Sequence, residues 1–358
     1  MQKSTVVILG AGSSNDFGFP LGSEVWDYLN QYNVRNTKVL EQSYYRVRNF
    51  MNDIYPGFTI GVSKQPTFEE VLSAVVNSMK EKGSMGDYEE AQLRQIQEDL
   101  ESLYYEIIHE RCHWCIYPFV PQNDDCPETL AYNNYKLYQK YIKRLILKTE
   151  SIAFISLNYD LLLDYVLMDR LEKLGKDFTY GIDTYDFYNQ TVLCRTSGLL
   201  LLKPHGSLNL STCKNCNKIY YLEDSFKRMK ENSKIEKEDA KRRCSCGNEI
   251  ELLLIPPLKG KNISNYPYPF DKISKKMKEV ISYSSKIILI GYSFPDYDAD
   301  IRDNIIKPAI KNNTSQREIV VITETKDKIY YEEILGPIRD TNFYTEGFIS
   351  YIMNAVSN

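Results

Sequence analysis

The sequence predicts an α/β fold built on a parallel sheet, and three observations lead there. Short, almost wholly apolar runs recur at Thr5 to Leu9, Ile152 to Leu157, Leu199 to Lys203, Ile287 to Ile290 and Ile319 to Thr323. Such runs suit parallel strands buried on both faces. Stretches with helical periodicity separate several of them, at Leu161 to Leu174, Asp271 to Ser284 and Asp298 to Lys311. Alternating strand and helix is the pattern of a parallel sheet with crossover helices. Finally, the first run ends in Gly10-Ala11-Gly12-Ser13-Ser14, with a helix predicted from about Leu21. Strand, glycine turn and helix, in that order, form the phosphate end of a Rossmann-like dinucleotide fold.

Composition bounds what this fold serves. The chain has 358 residues, with 43% hydrophobic and 26% charged, which excludes disordered and collagen-like classes. Lys plus Arg number 44 against 48 Asp plus Glu, so no global charge draws the chain to nucleic acid or anionic lipid. No apolar run approaches the roughly 20 residues that span a bilayer, and the apolar start runs straight into glycines, unlike a signal peptide. We therefore expect a cytosolic protein with no membrane partner. In a reducing compartment, close pairs among the eight cysteines favour metal over disulfide. The 29 tyrosines point to aromatic cores and interfaces, and to a homo-oligomer.

Two stretches interrupt the strand–helix alternation. From Leu21 to about Thr149 the pattern is helical. Thr67-x-x-Glu70 is a capping box opening Phe68 to Met79, Asp87 to about Glu110 is periodic, and Glu128 to Lys148 carries Tyr132, Tyr135, Tyr138 and Tyr141 at spacing three. We read this as a helical module inserted between strands, residues 21–149. Its tyrosines either pack between helices or meet a second subunit. The second stretch, 212–251, carries Cys213-x-x-Cys216 and Cys244-x-Cys246 around a charged arm, Lys227 to Arg243, of eight basic and four acidic side chains. Two tight pairs of thiolates read as a structural tetrahedral zinc site, a zinc ribbon closed to substrate. The remainder, 1–20 with 150–211 and 252–358, is the Rossmann-like core. The arm reads as a solvated hairpin or helix, with a local anion or nucleic-acid contact as the sharper alternative.

The motifs with chemistry sit at strand ends, where ligands collect in open α/β sheets. Gly10 and Gly12 let the backbone approach a pyrophosphate, although Asn15 stands where a GxGxxG pattern needs its third glycine. No GxxxxGK[ST] occurs, which excludes a P-loop. Asn158-Tyr159-Asp160 follows the second strand, offering groups that orient water or bind hydroxyls. Asp160 reads equally as the N-cap of the helix at Leu161. Pro204-His205-Gly206 holds one of only three histidines, a candidate general base. Gly291-Tyr292-Ser293 follows the fourth strand, where a small residue admits a nucleotide and Ser293 suits a phosphate. Asp296, Asp298 and Asp300 come next, read as helix caps or, less directly, a Mg²⁺ site. His109, Cys112, His113 and Cys115 form a second cluster, read as packing or a second metal site. Cys126 and Cys194 read as isolated thiols.

Gly10-Ala11-Gly12-Ser13-Ser14 with Gly18-Phe19-Pro20, then Leu157 to Asp160, then Pro204 to Gly206, then a four-cysteine ribbon, then Gly291 to Ser293: this ordered set resembles the sirtuin superfamily. It is closer to its bacterial anti-phage defence branch, which typically carries Asn-Tyr-Asp and Gly-x-Pro-Leu, here Asn158 to Asp160 and Gly18 to Leu21. The Phe-Arg pair and Phe-Gly-Glu segment of the protein deacetylases are missing, and Ile255-Pro256-Pro257-Leu258 stands in the latter's place. The resemblance implies NAD⁺ as substrate, with Gly10, Ala11, Gly12, Ser13 and Asn15 about the pyrophosphate. Asn158 positions water or ribose, Asp160 binds a hydroxyl or holds its loop, and His205 is the general base. Gly291 and Ser293 meet the phosphate and adenosine half, Thr323 or Glu324 the adenosine ribose. Cys213, Cys216, Cys244 and Cys246 hold Zn²⁺. The implied activity is an NAD⁺ glycohydrolase acting as an abortive-infection effector. The alternatives are an NAD⁺-dependent deacylase and a non-catalytic NAD⁺ or ADP-ribose sensor. Members of the branch often act with a HerA-type motor ATPase, with the tyrosine-rich module as the candidate contact.

Overall fold

The computed structural model describes residues 4–31, 38–58, 66–116, 127–173, 177–187, 192, 198–221, 243–258, 261, 263, 266, 268–311, 317–325 and 327–357. The charged arm up to residue 242, and Cys126 and Cys194, lie outside them. The strands run β1 (Ser4–Leu9), β2 (Ser84–Met85), β3 (Tyr88–Glu89), β4 (Ser151–Ser156), β5 (Phe178–Thr179), β6 (Thr184–Asp186) and β7 (Leu199–Leu202). They continue as β8 (Gly206–Thr212), β9 (Ile219–Tyr221), β10 (Glu251–Leu254), β11 (Lys286–Ile290), β12 (Glu318–Ile322) and β13 (Phe343–Tyr344). Seven of them form one sheet in the order β13-β12-β11-β1-β4-β7-β5, every pairing parallel. The central strands have no polar face because none is wet: Val7, Ile8, Phe154, Ile287 and Ile290 are wholly buried. Strand order reverses at β1, with β4 on one flank and β11 on the other. The crevice at such a switch point is where a doubly wound sheet takes its ligand.

The helices before β4 are α1 (Gly12–Asn15), α2 (Val25–Gln31), α3 (Lys38–Ile54), α4 (Phe68–Glu81), α5 (Glu90–Ile116) and α6 (Pro127–Lys148). The capping box at α4 is formed as its spacing predicts: Thr67 Oγ1 accepts from the Glu70 N–H and the Glu70 carboxylate from the Thr67 N–H. Residues 84–89 form the β2–β3 hairpin where the sequence suggests continued helix, because Gly83 and Gly86 take positive φ and break the helical run. Helices α2 to α5 bury their own apolar core around Phe50, Phe68, Leu72 and Leu100. Helix α6 does otherwise. Its Tyr135, Tyr138 and Tyr141 are buried in the core of the main sheet, against Phe17 and Phe348. These rings are internal, which removes them as the contact surface for a partner.

The segment after Leu202 leaves the main sheet. Strands β10-β8-β9-β6 form a second, smaller sheet, and the four cysteines lie in its loops. Downstream, the main sheet is served by α7 (Leu162–Lys173) and α8 (Phe270–Tyr283), and by the C-terminal helix Phe348–Ser357. The helix expected from Asp298 is instead a 3₁₀ turn, Asp296–Asp298, then a π-helical turn, Ile301–Ile306, before Lys307–Lys311 resumes α geometry. No helix among the described residues is long and apolar enough to cross a membrane.

Candidate active site

A cleft of about 340 Å³ opens where β1, β4, β11 and β12 end. The glycine turn after β1 forms one side. Gly12 N–H donates to the Gly291 carbonyl (2.9 Å), so the loops after β1 and β11 are clasped together. Gly291 is required there: its φ is +57°, and a Cβ would lie 2.1 Å from the Ser13 nitrogen. Gly10, Ala11, Gly12, Asn15, Gly291, Ser293, Thr323 and Glu324 all line this cleft, together with Asn158, Asp160 and His205. Ser13 is buried just behind it, its hydroxyl donating to the Gly10 carbonyl (2.7 Å).

The loop after β4 is locked to the glycine turn. Asn158 Nδ2 lies 3.0 Å from the Gly10 carbonyl oxygen, 2.9 Å from Ser14 Oγ and 3.2 Å from Ser13 Oγ. The carbonyl accepts only, which fixes which end of the amide is nitrogen. Asp160 does two jobs. Its Oδ1 accepts from Leu162 N–H (3.0 Å) one residue before the cap position, since the helix opens at Leu162 rather than Leu161, and its Oδ2 accepts from Ser14 Oγ (2.8 Å). Burial pushes its carboxyl above the usual range, opposed by Lys203. Lys203 lies beneath, donating to the Asp160 carbonyl and 3.2 Å from Asp164. Asp164 also accepts from Tyr180. Fully buried charge in this network is paired, as it must be.

His205 lines the same cleft, beside the loop after β4. The chain kinks after it through Gly206, whose φ is +84° and whose Cβ would collide with the Leu253 carbonyl at 1.8 Å. His205 Nδ1 is 2.8 Å from the Leu157 carbonyl, so Nδ1 carries a hydrogen. Its Nε2 lies 3.0 Å from Asp298 Oδ1, and Lys261 Nζ lies 3.2 Å from the same oxygen. These three side chains are 4% exposed or less. Asp298 was legible in the sequence only as a cap or Mg²⁺ ligand, and Lys261 and Glu69 carried no signal. Glu69, with Tyr104 and Ile108, brings the helical module into the cleft wall. Burial raises the Glu69 carboxyl, partly opposed by Lys261. A capping box one residue later in the sequence, at Glu70, is the nearest available hint.

The four cysteines converge into a cluster compatible with a zinc ribbon. Their sulfurs all lie within 4.8 Å of one another, with Cys213–Cys246 at 3.5 Å and Cys216–Cys244 at 3.3 Å. Tetrahedral zinc with bonds of about 2.3 Å requires sulfurs about 3.8 Å apart, so the donor set fits. The second cluster is core instead. The Cys112 sulfur accepts from Leu161 N–H, the Cys115 thiol donates to the Phe17 carbonyl, and both are buried. Among the described residues the ribbon cysteines are the one metal-capable group.

No protein-family model matches the chain, and no curated protein matches it in sequence. It is similar to solved sirtuin structures. Sir2Tm bound to a propionylated peptide is 15% identical with a TM-score of 0.44, over 99% of this chain and 92% of that one. A Sir2–p53 peptide–NAD⁺ structure is 14% identical with a TM-score of 0.44, over 100% and 93%. Likeness at this level carries no weight for activity, and the parallel sheet stands on its own strand pairing.

Proposed function

We propose that this protein is a sirtuin-like NAD⁺ glycohydrolase that cleaves the nicotinamide–ribose bond, giving nicotinamide and ADP-ribose. One observation carries the reading: Asn158 and His205, delivered by different strand ends, line the same cleft as the glycine turn. The pyrophosphate lies along the backbone of Gly10 to Ser13, near Gly291 and Ser293, with the adenosine ribose toward Thr323 and Glu324. That places the nicotinamide ribose between Asn158 and His205.

The chemistry needs little covalent help. The leaving group is a cationic pyridinium, so the C1′–N bond breaks with its electron pair leaving on neutral nicotinamide. The ribose becomes oxocarbenium-like, and the protein orients it and excludes bulk water. The Asn158 NH₂ is committed to the glycine turn, which leaves Oδ1 as the acceptor for the attacking water. The water oxygen bonds to C1′ and its proton passes to the buried His205–Asp298 pair. Cys213, Cys216, Cys244 and Cys246 would hold Zn²⁺, which would brace this lobe rather than take part in the reaction.

Hydrolysis of NAD⁺ is lethal to the cell that performs it, which suits an abortive-infection effector held inactive until a trigger arrives. Restraint by self-assembly or by a HerA-type motor ATPase belongs to this proposal. The test is NAD⁺ consumption by purified protein, alone and with the neighbouring gene's product, in the presence and absence of an acylated peptide. Peptide-independent release of nicotinamide and ADP-ribose is the expected result. O-acyl-ADP-ribose formation, or tight NAD⁺ binding without nicotinamide release, overturns it in favour of a deacylase or a sensor.

A further inference from the structure

We propose that Asp298, with Lys261 as its counter-charge, is the positioning residue for His205, fixing the ring and setting how readily the His205–Asp298 pair takes the proton of the attacking water. This rests on the hydrolase reading of the cleft. Three separate segments supply the cluster: His205 after β7, Lys261 after β10, and Asp298 after β11. His205 and Asp298 line the cleft, whereas Lys261 does not and approaches the carboxylate from behind.

The contacts are close. His205 Nε2, Asp298 Oδ1 and Lys261 Nζ are all buried, and the two nitrogens meet the one oxygen at 3.0 and 3.2 Å. The ring is anchored through Nδ1 on the Leu157 carbonyl, and Nε2 faces the carboxylate.

The surroundings keep the carboxylate negative. Burial alone would raise Asp298, but His205 and Lys261 outweigh it and hold its carboxyl at about 2. Tyr292 donates to Asp298 Oδ2 (3.3 Å), Tyr297 lies over Lys261, and Tyr159 flanks the His205 ring. Burial raises all three phenols, so they stay neutral through the working range. Glu69 on α4 and Asp300 add negative charge on the Lys261 side. Asp298 and Lys261 therefore set opposite charges beside the His205 ring.

Opposite charges give opposite signs, which a merely structural role would not. In Asp298→Asn the acid limb of the NAD⁺ kcat/KM profile should move to lower pH by about one unit. In Lys261→Met it should move to higher pH by about the same amount. In both variants kcat should change more than KM, and Asp298→Glu should restore part of the wild-type profile. The chain has only three histidines, so His205 can also be followed by histidine-selective NMR, assigned with His205→Gln. Its titration should move down in Asp298→Asn and up in Lys261→Met. Folded variants that move together, or not at all, overturn the proposal. Opposite NMR shifts in a protein without NAD⁺ turnover uphold the pairing and overturn the hydrolase reading instead.

Discussion

The helical module and the four-cysteine lobe both interrupt the same parallel sheet, yet they are held, and act, in different ways. Helices α2 to α5 bury an apolar core of 15 residues. Among the described residues, the cysteine end of the lobe buries a cluster of Cys213, Tyr220 and Cys244, while Leu208, Leu210, Ile219 and Leu253 of its strands join the main core. A cluster of that size offsets little of the entropy of ordering the cysteine loops, so a metal cross-link would add most of their stability. The module also reaches the chemistry directly, through Glu69, Tyr104 and Ile108 in the cleft wall. No ribbon cysteine lines that cleft. The lobe meets it through β8, which starts beside His205 and ends at Thr212, next to Cys213, and through the end of β10, where Ile255 N–H donates to the His205 carbonyl. One insertion shapes the substrate site, and the other braces the strand behind the imidazole.

The largest effect should come from metal removal. Zinc contributes on the order of 10 kcal/mol in small metal-dependent modules. Chelation should therefore expose residues 206–254 to rapid proteolysis while residues 66–116 stay protected. Equal protection of both would show that the lobe is self-supporting. Next, His205→Ala should lower NAD⁺ turnover by roughly 10²–10⁴-fold with the far-ultraviolet circular dichroism unchanged. A wild-type rate would remove the cleft from the chemistry.

A third test bears on the module alone. Burial lowers His109 on α5 to about 4 from its ordinary 6.5. The unfolded chain then binds more protons between those values, so stability is lost as pH falls from 6.5 toward 4, by at most about 3 kcal/mol. Melting curves across that interval should fall in the wild type and flatten in His109→Gln. The smallest effect is on recognition. If the Glu69 carboxyl faces the cationic pyridinium, Glu69→Gln should raise the KM for NAD⁺ about tenfold, or about 1.4 kcal/mol. An unchanged KM would reduce the module to a wall.

What was legible in the sequence is what depends on neighbours along the chain. Strands β1, β4, β7, β11 and β12 announced themselves because strands buried on both faces need unbroken apolar runs. The α4 capping box spans four residues, and the cysteine pairs are covalently close, so both could be read locally. The strand-end motifs were readable because a parallel sheet delivers every strand's carboxyl end to one edge. The β2–β3 hairpin and the π-helical turn at Ile301–Ile306 were not, since each replaces a helix that the apolar spacing permits.

The inward turn of Tyr135, Tyr138 and Tyr141 was equally hidden, because helical spacing shows a face without showing what covers it. Most of all, the grouping of Glu69, His205, Lys261 and Asp298 belongs to tertiary structure. Sequence placed the amide and the imidazole at strand ends. Only the order of the strands, and the fold of the module across their edge, decided which buried charges would surround them.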